Sequence, residues 1–418
     1  MRGLLLLILL LGCSSPEVRI VSPTVTEPRV AHEAKASKEM VTSQGQGTSR
    51  AALTTFKKGG NIIDAFVAAS FAISVERPHS TGLGGGGFLL YFSQEDKQAY
   101  AFDFREVAPR AATKDMYLDK KGNTQPLLSQ EGVLAVAVPG LVRGLYEIHQ
   151  RFGSLPWAET IAPAIKLARH GFPLYEQLYE ALEDRKAILH LDPEAKKTFY
   201  TKEGNTPLLG TIIYQENLAR TLETIAQKGA DGFYRGKVAD AIVKTVQKKK
   251  GLIRHRDLRT YKVKERVPVT GMYKGLKIHS MPPPSSGGIH VIQILKMLEP
   301  HNLKNLNPQS AEAVHLTANA MQRAFLDRAS YLGDPDFSPI PQKALVDEKY
   351  LSKLSESINV PHAIKADKLK FIRLPYESDD TTHFTIADRE GNMVASTQTI
   401  NGWFGSGVIA QGTGVILN

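Results

Sequence analysis

A nearly continuous run of apolar residues at positions 62–75 limits what this chain can fold into more than any other feature. The run follows Gly59-Gly60-Asn61, in which the glycines end a helix predicted over residues 49–58 and the asparagine caps the next helix. A helix that is apolar on every side has no face for solvent, so it must be buried between layers of the fold. The sequence therefore predicts a layered domain in which residues 62–75 form an internal helix.

A glycine-rich segment follows this helix and precedes a predicted strand at residues 88–92. Residues 82–87 formally fit G-x-G-x-x-G, but a dinucleotide site requires the motif to follow a strand and open a helix, so we reject that role. Four consecutive glycines instead predict that the backbone closely approaches another backbone or a ligand. The hairpin returns through residues 99–104 and ends at Arg105, which fits either a surface ion pair or a bidentate clamp for a carboxylate.

A second hairpin is predicted near the end of the chain, where residues 381–386 alternate in character. Thr381 falls on one face, Thr382 and Phe384 fall on the other, and the return strand covers residues 393–399. If the Asp380–Thr381 bond were cut, Thr381 would become an N-terminal nucleophile whose own α-amine takes the proton from its hydroxyl. Without that cut, Thr381 is an ordinary strand residue.

The remaining patterns predict a mixed helical and strand domain. A continuous apolar strand is predicted at 133–138, and residues 174–263 are predicted to be mainly helical. The serines of Pro282-Pro283-Pro284-Ser285-Ser286 suggest a nucleophile, but no Gly-x-Ser-x-Gly elbow is present, and helix capping fits them better. Further elements are helices over 140–152, 157–170, 216–229, 236–250, 287–298 and 311–332, and edge strands over 267–269 and 276–279.

Composition excludes several classes of protein. Apolar content of 42% and charged content of 22% are typical of a folded globular protein, not of a disordered or membrane-spanning one. The net charge of +10 is scattered along the chain without a nucleic-acid-binding signature, so no nucleic-acid partner is expected. The twelve histidines are dispersed without metal-ligand spacing, and we predict no metal site.

The N-terminus predicts export and anchoring. Met1-Arg2 precedes a short apolar run and the sequence Leu10-Leu11-Gly12-Cys13, which resembles a bacterial lipobox. A plain signal peptide with an incidental cysteine is the alternative. Acyl chains on Cys13 would hold the protein on a membrane surface without spanning it. Residues 1–13 are therefore predicted to be a lipoprotein signal and residues 14–47 a flexible tether, in a bacterial, periplasmic, lipid-anchored envelope protein.

Several motifs in one order resemble the γ-glutamyltranspeptidase family of N-terminal-nucleophile hydrolases, over about residues 40–418. The motifs are Lys58-Gly59-Gly60-Asn61 with Asp64-Ala65, Pro78-His79-Ser80-Thr81-Gly82 with the glycine run, Asp103-Phe104-Arg105-Glu106, Val138-Pro139-Gly140, Met281 to Gly288, Tyr331-Leu332-Gly333-Asp334-Pro335 and Thr381-Thr382-His383-Phe384. The resemblance implies an α+β fold, the four-layer αββα sandwich, made as a precursor with a large-chain part at residues 48–380 and a small chain beginning at residue 381.

The resemblance also implies a chemistry and a set of residues. Thr381 would attack the carbonyl of Asp380, and hydrolysis of the resulting ester would release the two chains. Thr381 would then attack a γ-glutamyl amide such as glutathione and pass the acyl group to water or an amino acid, with no cofactor. Arg105 matches the arginine that grips the substrate α-carboxylate, Thr399 the threonine that supports the nucleophile and autoprocessing, and Asn401 the asparagine that helps hold the glutamyl α-group. Thr399 and Asn401 are expected on one face of the return strand.

The resemblance stops at Asn418, whereas the family's small chain normally continues much further. The family's amine-binding acidic residue, serine pair, oxyanion-hole diglycine and several core strands would lie beyond residue 418, so the sandwich is expected to be incomplete. A fragment, strands supplied by another chain, and a degenerate homologue all remain open. Two alternatives to the γ-glutamyl enzyme follow: a non-catalytic envelope lipoprotein that acts as a binding scaffold, and an acylase of the same family.

Overall fold

The computed structural model describes residues 34–358 and 381–418 of the chain. The chain divides into two units, Met1–Ala36 and Ser37–Asn418, and every element named below lies in the second. The described residues 34–36 of the first unit lie outside helices and strands. The predicted lipobox with Cys13 and the predicted cleavage residue Asp380 lie outside the described residues.

The second unit contains both helices and strands. The helices are α1 (Gln46–Lys57), α2 (Ile62–Glu76), α3 (Leu141–Phe152), α4 (Trp157–His170), α5 (Glu176–Asp184), α6 (Lys186–Leu189), α7 (Pro193–Phe199), α8 (Glu216–Lys228), α9 (Asp231–Tyr234), α10 (Gly236–Lys248), α11 (His255–Arg259), α12 (Gly287–Leu298), α13 (Ala311–Tyr331), α14 (Gln342–Leu345) and α15 (Glu348–Glu356). The strands are β1 (Met40–Thr42), β2 (Gly86–Ser93), β3 (Gln98–Asp103), β4 (Phe172–Pro173), β5 (Ile212–Ile213), β6 (Lys264–Arg266), β7 (Val269–Tyr273), β8 (Leu276–Ser280), β9 (Thr382–Ala387), β10 (Met393–Thr399), β11 (Ile409–Ala410) and β12 (Val415–Ile416).

The main sheet of the described residues has six strands in the order β1-β9-β10-β2-β3-β6, and each neighbouring pair is antiparallel. The hairpin from the end of the chain, β9–β10, therefore lies between the two strands β1 and β2 from its beginning. In β9 the inward-facing residues are buried and the outward-facing His383 and Thr385 are exposed, as the alternation predicts. Thr399 at the end of β10 pairs with Gly86 at the start of β2, so the glycine run and the end of the hairpin meet.

Helix α2 is the centre of the principal core, because all its residues are buried. It packs against α1, α3 and α4 and against the sheet strands β9 and β10. The ring of Phe66 on α2 stacks on the ring of Phe384 on β9, with 6.0 Å between centroids. Each large apolar side chain buried in this way contributes about 1.5–3 kcal/mol to folding. The prediction of an internal helix is confirmed.

Fully buried Asp64 joins the start of α2 to the turn after α3. One oxygen, Oδ2, accepts hydrogen bonds from the backbone N–H of Asn61 at 2.9 Å, the hydroxyl of Ser154 at 2.5 Å and the N–H of Leu155 at 3.1 Å. The other oxygen lies 3.3 Å from Nε2 of His149. Burial by itself would raise the pKa of Asp64, but these hydrogen bonds outweigh burial and lower it.

Replacing Asp64 by asparagine is expected to lower the free energy of unfolding by about 3 kcal/mol, because the amide turns a donor toward N–H groups that need an acceptor. The carboxylate's contribution is present above its unfolded pKa, near 4, and is lost as the pH falls through its lowered folded value. Urea unfolding should therefore show the gap between wild type and Asp64→Asn shrinking below about pH 4. Asp119→Asn, at an exposed turn aspartate, is the control and should change the free energy of unfolding much less, because solvent screens its carboxylate. Equal effects at the two positions would contradict this account.

Two sequence predictions about individual segments are wrong. The tether predicted over 14–47 ends earlier than expected, because residues 40–42 form β1 and pair with β9. Residues 133–138 do not form a strand, although Val138 makes an isolated bridge with Val107. The backbone N–H and C=O of Ala137 bond instead to the side-chain amide of Asn418, at 2.9 and 3.0 Å, so a side chain takes the place of a neighbouring strand.

Helices α12, α13 and α15 build a helical layer around two small apolar clusters, apart from the principal core. The β7–β8 hairpin packs on α12 as a separate two-stranded sheet. The residues after α13 return to the main sheet, where Asp336 contacts Arg266 of β6. No helix within residues 34–358 or 381–418 combines the length and apolar character needed to cross a bilayer.

Candidate active site

A cavity of about 780 Å³ opens at the end of the β9–β10 hairpin. Its lining includes Thr381, Thr399, Arg105 and Asn401, the four described residues that the sequence predicts to form a site. They come from three separate chain segments, and the sheet brings these segments together. Their chemical roles remain predictions.

Thr381 and Thr399 lie at adjacent ends of the paired strands. The last pair in the β9–β10 ladder joins Thr382 to Gln398, and continuing that register by one residue places Thr381 opposite Thr399. Residues directly opposite each other in antiparallel strands have Cβ atoms about 4.5–5.5 Å apart. Thr381 is exposed, whereas Thr399 is 5% exposed. The geometry therefore places an exposed threonine opposite a second, buried threonine.

The segment Pro78-His79-Ser80-Thr81-Gly82 holds both ends of this hairpin. The Ser80 hydroxyl lies 2.8 Å from the hydroxyl of Thr382, which is fully buried next to Thr381. The carbonyl of Ser80 accepts a hydrogen bond from the N–H of Ile400 at 3.3 Å, directly after Thr399. The motif thus fixes the residue after the predicted nucleophile and the residue after its predicted support.

Buried His79 packs between the rings of Tyr175 and Phe404, with centroids 6.1 and 6.4 Å away. Burial, with a smaller effect of the positive charge on Arg77, lowers the pKa of His79 to about 3. His79 is therefore neutral near pH 7 and forms part of the framework under the site.

Asn401 does not share a strand face with Thr399, because β10 ends at Thr399, so this prediction is wrong. Asn401 adopts a left-handed backbone with φ of 72°, which asparagine tolerates better than most residues. The Thr399 hydroxyl accepts a hydrogen bond from the backbone N–H of Asn401 at 2.8 Å. This turn brings Asn401 to the cavity beside Thr399.

Arg105 lies just beyond β3, with its guanidinium 5.7 Å from the centre of the Phe88 ring and its side chain 41% exposed. Nε lies 3.5 Å from Oε2 of Glu106, whose side chain is only 5% exposed. Burial raises the pKa of Glu106, although the charge of Arg105 acts in the opposite direction. The cavity wall therefore presents a cation with a planar fork of donors, which suits a carboxylate ligand.

The glycine run lies where the site segments converge. A Cβ added to Gly85 would lie 2.1 Å from the carbonyl oxygen of Thr399, and one added to Gly86 would lie 3.0 Å from Cα of Arg105. Next to them, a Cβ on Gly84 would lie 2.0 Å from the carbonyl oxygen of Ile416. These approaches confirm that the glycines allow close backbone contact, here between backbones of this chain.

Replacing Gly85 by alanine is expected to destabilise the protein by about 1–3 kcal/mol and to reduce any threonine-dependent turnover at least tenfold. The new Cβ would clash with the backbone carbonyl of Thr399, so the end of β10 must move to make room for it. Gly82→Ala is a matched control, because its Cβ would have an ordinary 3.8 Å contact with Ile400. Thermal unfolding and initial rates of both variants test this prediction. Similar behaviour of the two would show that the close approach is unimportant.

Other cavity residues gave no signal in the sequence. They include Trp403, Arg185, Arg328 and Asn418, which reach the cavity through tertiary packing. The side-chain amide of Asn418 donates to the carbonyl of Gly84 at 2.7 Å and so ties the glycine run in place.

The predicted capping role of the proline-rich segment is only partly confirmed. The Ser285 hydroxyl accepts a hydrogen bond from the N–H of Gly287 at 3.3 Å, whereas Ser286, at the N-cap position of α12, makes no side-chain capping bond. Both serines also line the cavity.

The fold places the chain among the N-terminal-nucleophile hydrolases. It superposes on the cephalosporin acylase of Bacillus halodurans with a TM-score of 0.82, at 27% identity, covering 96% of this chain and 72% of that one. The γ-glutamyltranspeptidase of Helicobacter pylori superposes with a TM-score of 0.77, at 37% identity, covering 83% of this chain and 99% of that one. The predicted fold class is confirmed.

The chain belongs to the γ-glutamyltranspeptidase family, whose sequence model matches residues 48–418. It is 39% identical to a glutathione hydrolase proenzyme of Escherichia coli K12, covering 97% of this chain and 71% of the relative. It is 42% identical to the Pseudomonas aeruginosa protein of that name, covering 88% and 65%. An acylase proenzyme of Pseudomonas sp. SE83 is 38% identical, covering 94% and 72%. The chain thus spans about two thirds of the length of these relatives, and the resemblance found in the sequence is confirmed.

Proposed function

We propose that this protein is an autoprocessing γ-glutamyl hydrolase and transpeptidase that cleaves γ-glutamyl amides such as glutathione through a γ-glutamyl-threonine intermediate. The observation that carries the proposal is the convergence of Thr381, Thr399, Arg105 and Asn401 on one cavity. The names of the relatives, which are glutathione hydrolase proenzymes, support both the substrate class and a precursor that is cut.

In the proposed processing step, the Thr381 hydroxyl oxygen attacks the carbonyl carbon of Asp380 and displaces the amide nitrogen of Thr381. An ester joins the two residues, and the freed nitrogen takes a proton to become an amine. Water then hydrolyses the ester, so the large chain ends in the carboxylate of Asp380 and the small chain begins at Thr381. The strand-end position of Thr381, exposed and opposite Thr399, leaves its hydroxyl accessible for this step.

In turnover, the new α-amine takes the proton of the Thr381 hydroxyl as the oxygen attacks the γ-carbonyl of the substrate. The leaving amine departs with a proton, and a γ-glutamyl ester remains on Thr381. Water or the amine of an amino acid then attacks this ester and restores the hydroxyl. Thr399 is proposed to support the nucleophile, because its side chain lies at the facing strand end and is held by its bond to Asn401.

Substrate selection is proposed to depend on Arg105 and Asn401. A guanidinium that is partly exposed at the cavity wall can bind the glutamyl α-carboxylate with two parallel hydrogen bonds. A cavity of about 780 Å³ lies in the size range of small-molecule sites and exceeds the volume of one glutamyl group, which leaves room for the leaving amine and the acceptor.

The experiment that tests this function compares three chromogenic anilides that differ only in the acyl group. γ-Glutamyl has the α-carboxylate and the α-amine, glutaryl lacks the amine, and butyryl lacks both. We expect release of the chromophore to be fastest from the γ-glutamyl compound and at least 100-fold slower from the butyryl compound. A folded protein that hydrolyses none of the three would contradict the enzyme and favour the scaffold alternative.

An acylase is the second candidate, because named acylases are among both the sequence relatives and the superposed structures. An acylase for side chains of the glutaryl type does not need the substrate amine. It should therefore cleave the glutaryl anilide at least as fast as the γ-glutamyl anilide. The ratio of kcat/KM for these two substrates separates the two enzymes.

We also propose that the protein works in the bacterial envelope, anchored by lipid on Cys13 at the end of a signal at residues 1–13. The relatives from bacteria support a bacterial source for the protein. The lipobox-like Leu10-Leu11-Gly12-Cys13 is the reason for proposing a lipid anchor. Detergent-phase partitioning tests it, because Cys13→Ala should move the protein from the detergent phase to the aqueous phase. Wild-type protein found only in the aqueous phase would contradict the anchor.

A further inference from the structure

We propose that Arg266 is a positioning residue for Arg105, acting through the carboxylate of Asp103. The inference rests on the proposed function, in which Arg105 binds the substrate α-carboxylate. Arg266 lies on β6, the neighbour of β3, and has no place in the mechanism described above.

Arg266 lies between two carboxylates. Its Nη2 and Nε atoms donate to Oδ2 of Asp103 at 2.9 and 3.1 Å. On the other side, Nη1 and Nη2 donate to the two oxygens of Asp336 at 2.9 and 2.8 Å. The side chains of Arg266 and Asp103 are 14% and 7% exposed, so these charges are largely removed from water. A planar guanidinium can satisfy both carboxylates at once, which an ammonium cannot do with the same geometry.

Asp103 links Arg266 to the backbone of Arg105. Its second oxygen, Oδ1, accepts a hydrogen bond from the backbone N–H of Arg105 at 3.1 Å. The carbonyl of Arg105 accepts a second bond, at 2.7 Å, from the hydroxyl of Tyr261. The backbone of Arg105 is therefore held at both its N–H and its C=O. It also packs closely against Gly86, where a Cβ would lie 3.0 Å from Cα of Arg105.

Removing Arg266 would leave Asp103 buried without its cation. Such a carboxylate must turn toward solvent or take up a proton, and either change weakens its bond to the N–H of Arg105. A shift of about 1 Å in a group that orients the substrate is enough to cost a large factor in catalytic efficiency. We therefore expect weaker binding of the γ-glutamyl substrate, although Arg266 is not among the residues that line the cavity.

Strand β6 also supplies a matched control. Glu265, the residue before Arg266, pairs with Arg151 of α3 at 2.8 Å, and both side chains are nearly half exposed. Among the described residues, neither Glu265 nor Arg151 forms a hydrogen bond or an ion pair with Arg105 or Asp103. Glu265→Gln should therefore leave the kinetics unchanged.

The test measures KM and kcat for the γ-glutamyl anilide, and cleavage at residue 381, in wild type and five variants. Arg266→Met should raise KM at least tenfold, change kcat less than threefold and still be cut. Arg266→Lys should raise KM less, because the charge remains and the fork is lost. Asp103→Asn should raise KM as Arg266→Met does, and it provides the answer if Arg266→Met fails to fold. Arg105→Lys shows the KM expected when the bidentate contact with the substrate α-carboxylate is lost. Glu265→Gln is the control.

A general loss of stability would reduce the active fraction, and so the apparent kcat, without raising KM. The inference is overturned if folded Arg266→Met and Asp103→Asn keep the wild-type KM while Arg105→Lys raises it. That result would leave the proposed function intact. A wild-type protein that is folded, uncut and inactive would overturn the proposed function and this inference together.

Discussion

Thr381→Ala is expected to reduce turnover of the γ-glutamyl anilide at least about 10⁴-fold. The variant lacks the oxygen that attacks Asp380 and the same oxygen that later attacks the substrate. It therefore fails twice: the chain stays whole, and no activated nucleophile is formed. Initial rates of chromophore release, corrected for the folded fraction, measure the effect.

Two variants make this result specific. Thr381→Ser keeps a hydroxyl and should retain measurable cleavage and turnover, below the wild-type level. Thr385→Ala removes another exposed threonine on the same face of β9 and should change turnover less than twofold. If Thr381→Ala kept more than a hundredth of wild-type turnover, the nucleophile would have to be sought elsewhere.

Arg105→Ala is expected to raise KM for the γ-glutamyl anilide about 100-fold, the equivalent of losing a charge-assisted pair of hydrogen bonds. Cleavage at residue 381 should proceed normally, because processing does not involve the substrate α-carboxylate. Steady-state kinetics and denaturing electrophoresis of one preparation measure both quantities.

The butyryl anilide provides an internal control for this variant, because it has no carboxylate for Arg105 to bind and its slow hydrolysis should be unaffected. Arg110→Ala, at an exposed arginine five positions further on, should behave as wild type. An unchanged KM in Arg105→Ala would show that another group holds the substrate carboxylate.

The elements predicted well from the sequence are those whose local pattern and final environment agree. The all-apolar run of α2 lies inside the core, and the alternation in residues 381–386 matches the buried and exposed faces of β9. Residues 133–138 show the limit of this reasoning. Their apolar character reflects burial, but the backbone of Ala137 bonds to the Asn418 side chain, which no local pattern reports.

In the site, too, local sequence patterns identify residues, whereas tertiary contacts decide which of them meet. Thr381, Thr399, Arg105 and Asn401 could be named from motifs, but their meeting depends on β10 pairing with β2 across the whole chain. Arg266 carries no motif of its own. Its connection to Arg105 through Asp103 exists because β6 lies beside β3 in the sheet. The residues after α13 add Asp336 on its other side.

The most direct test of this account is the intact mass of the purified wild-type protein, measured under conditions where circular dichroism and a cooperative thermal transition show that it is folded. Autoprocessing at Thr381 predicts two polypeptides from one gene product, with the smaller one beginning at Thr381, and a single polypeptide for Thr381→Ala. A folded wild-type protein that remains one uncut polypeptide would show that Thr381 is not released as an N-terminal nucleophile.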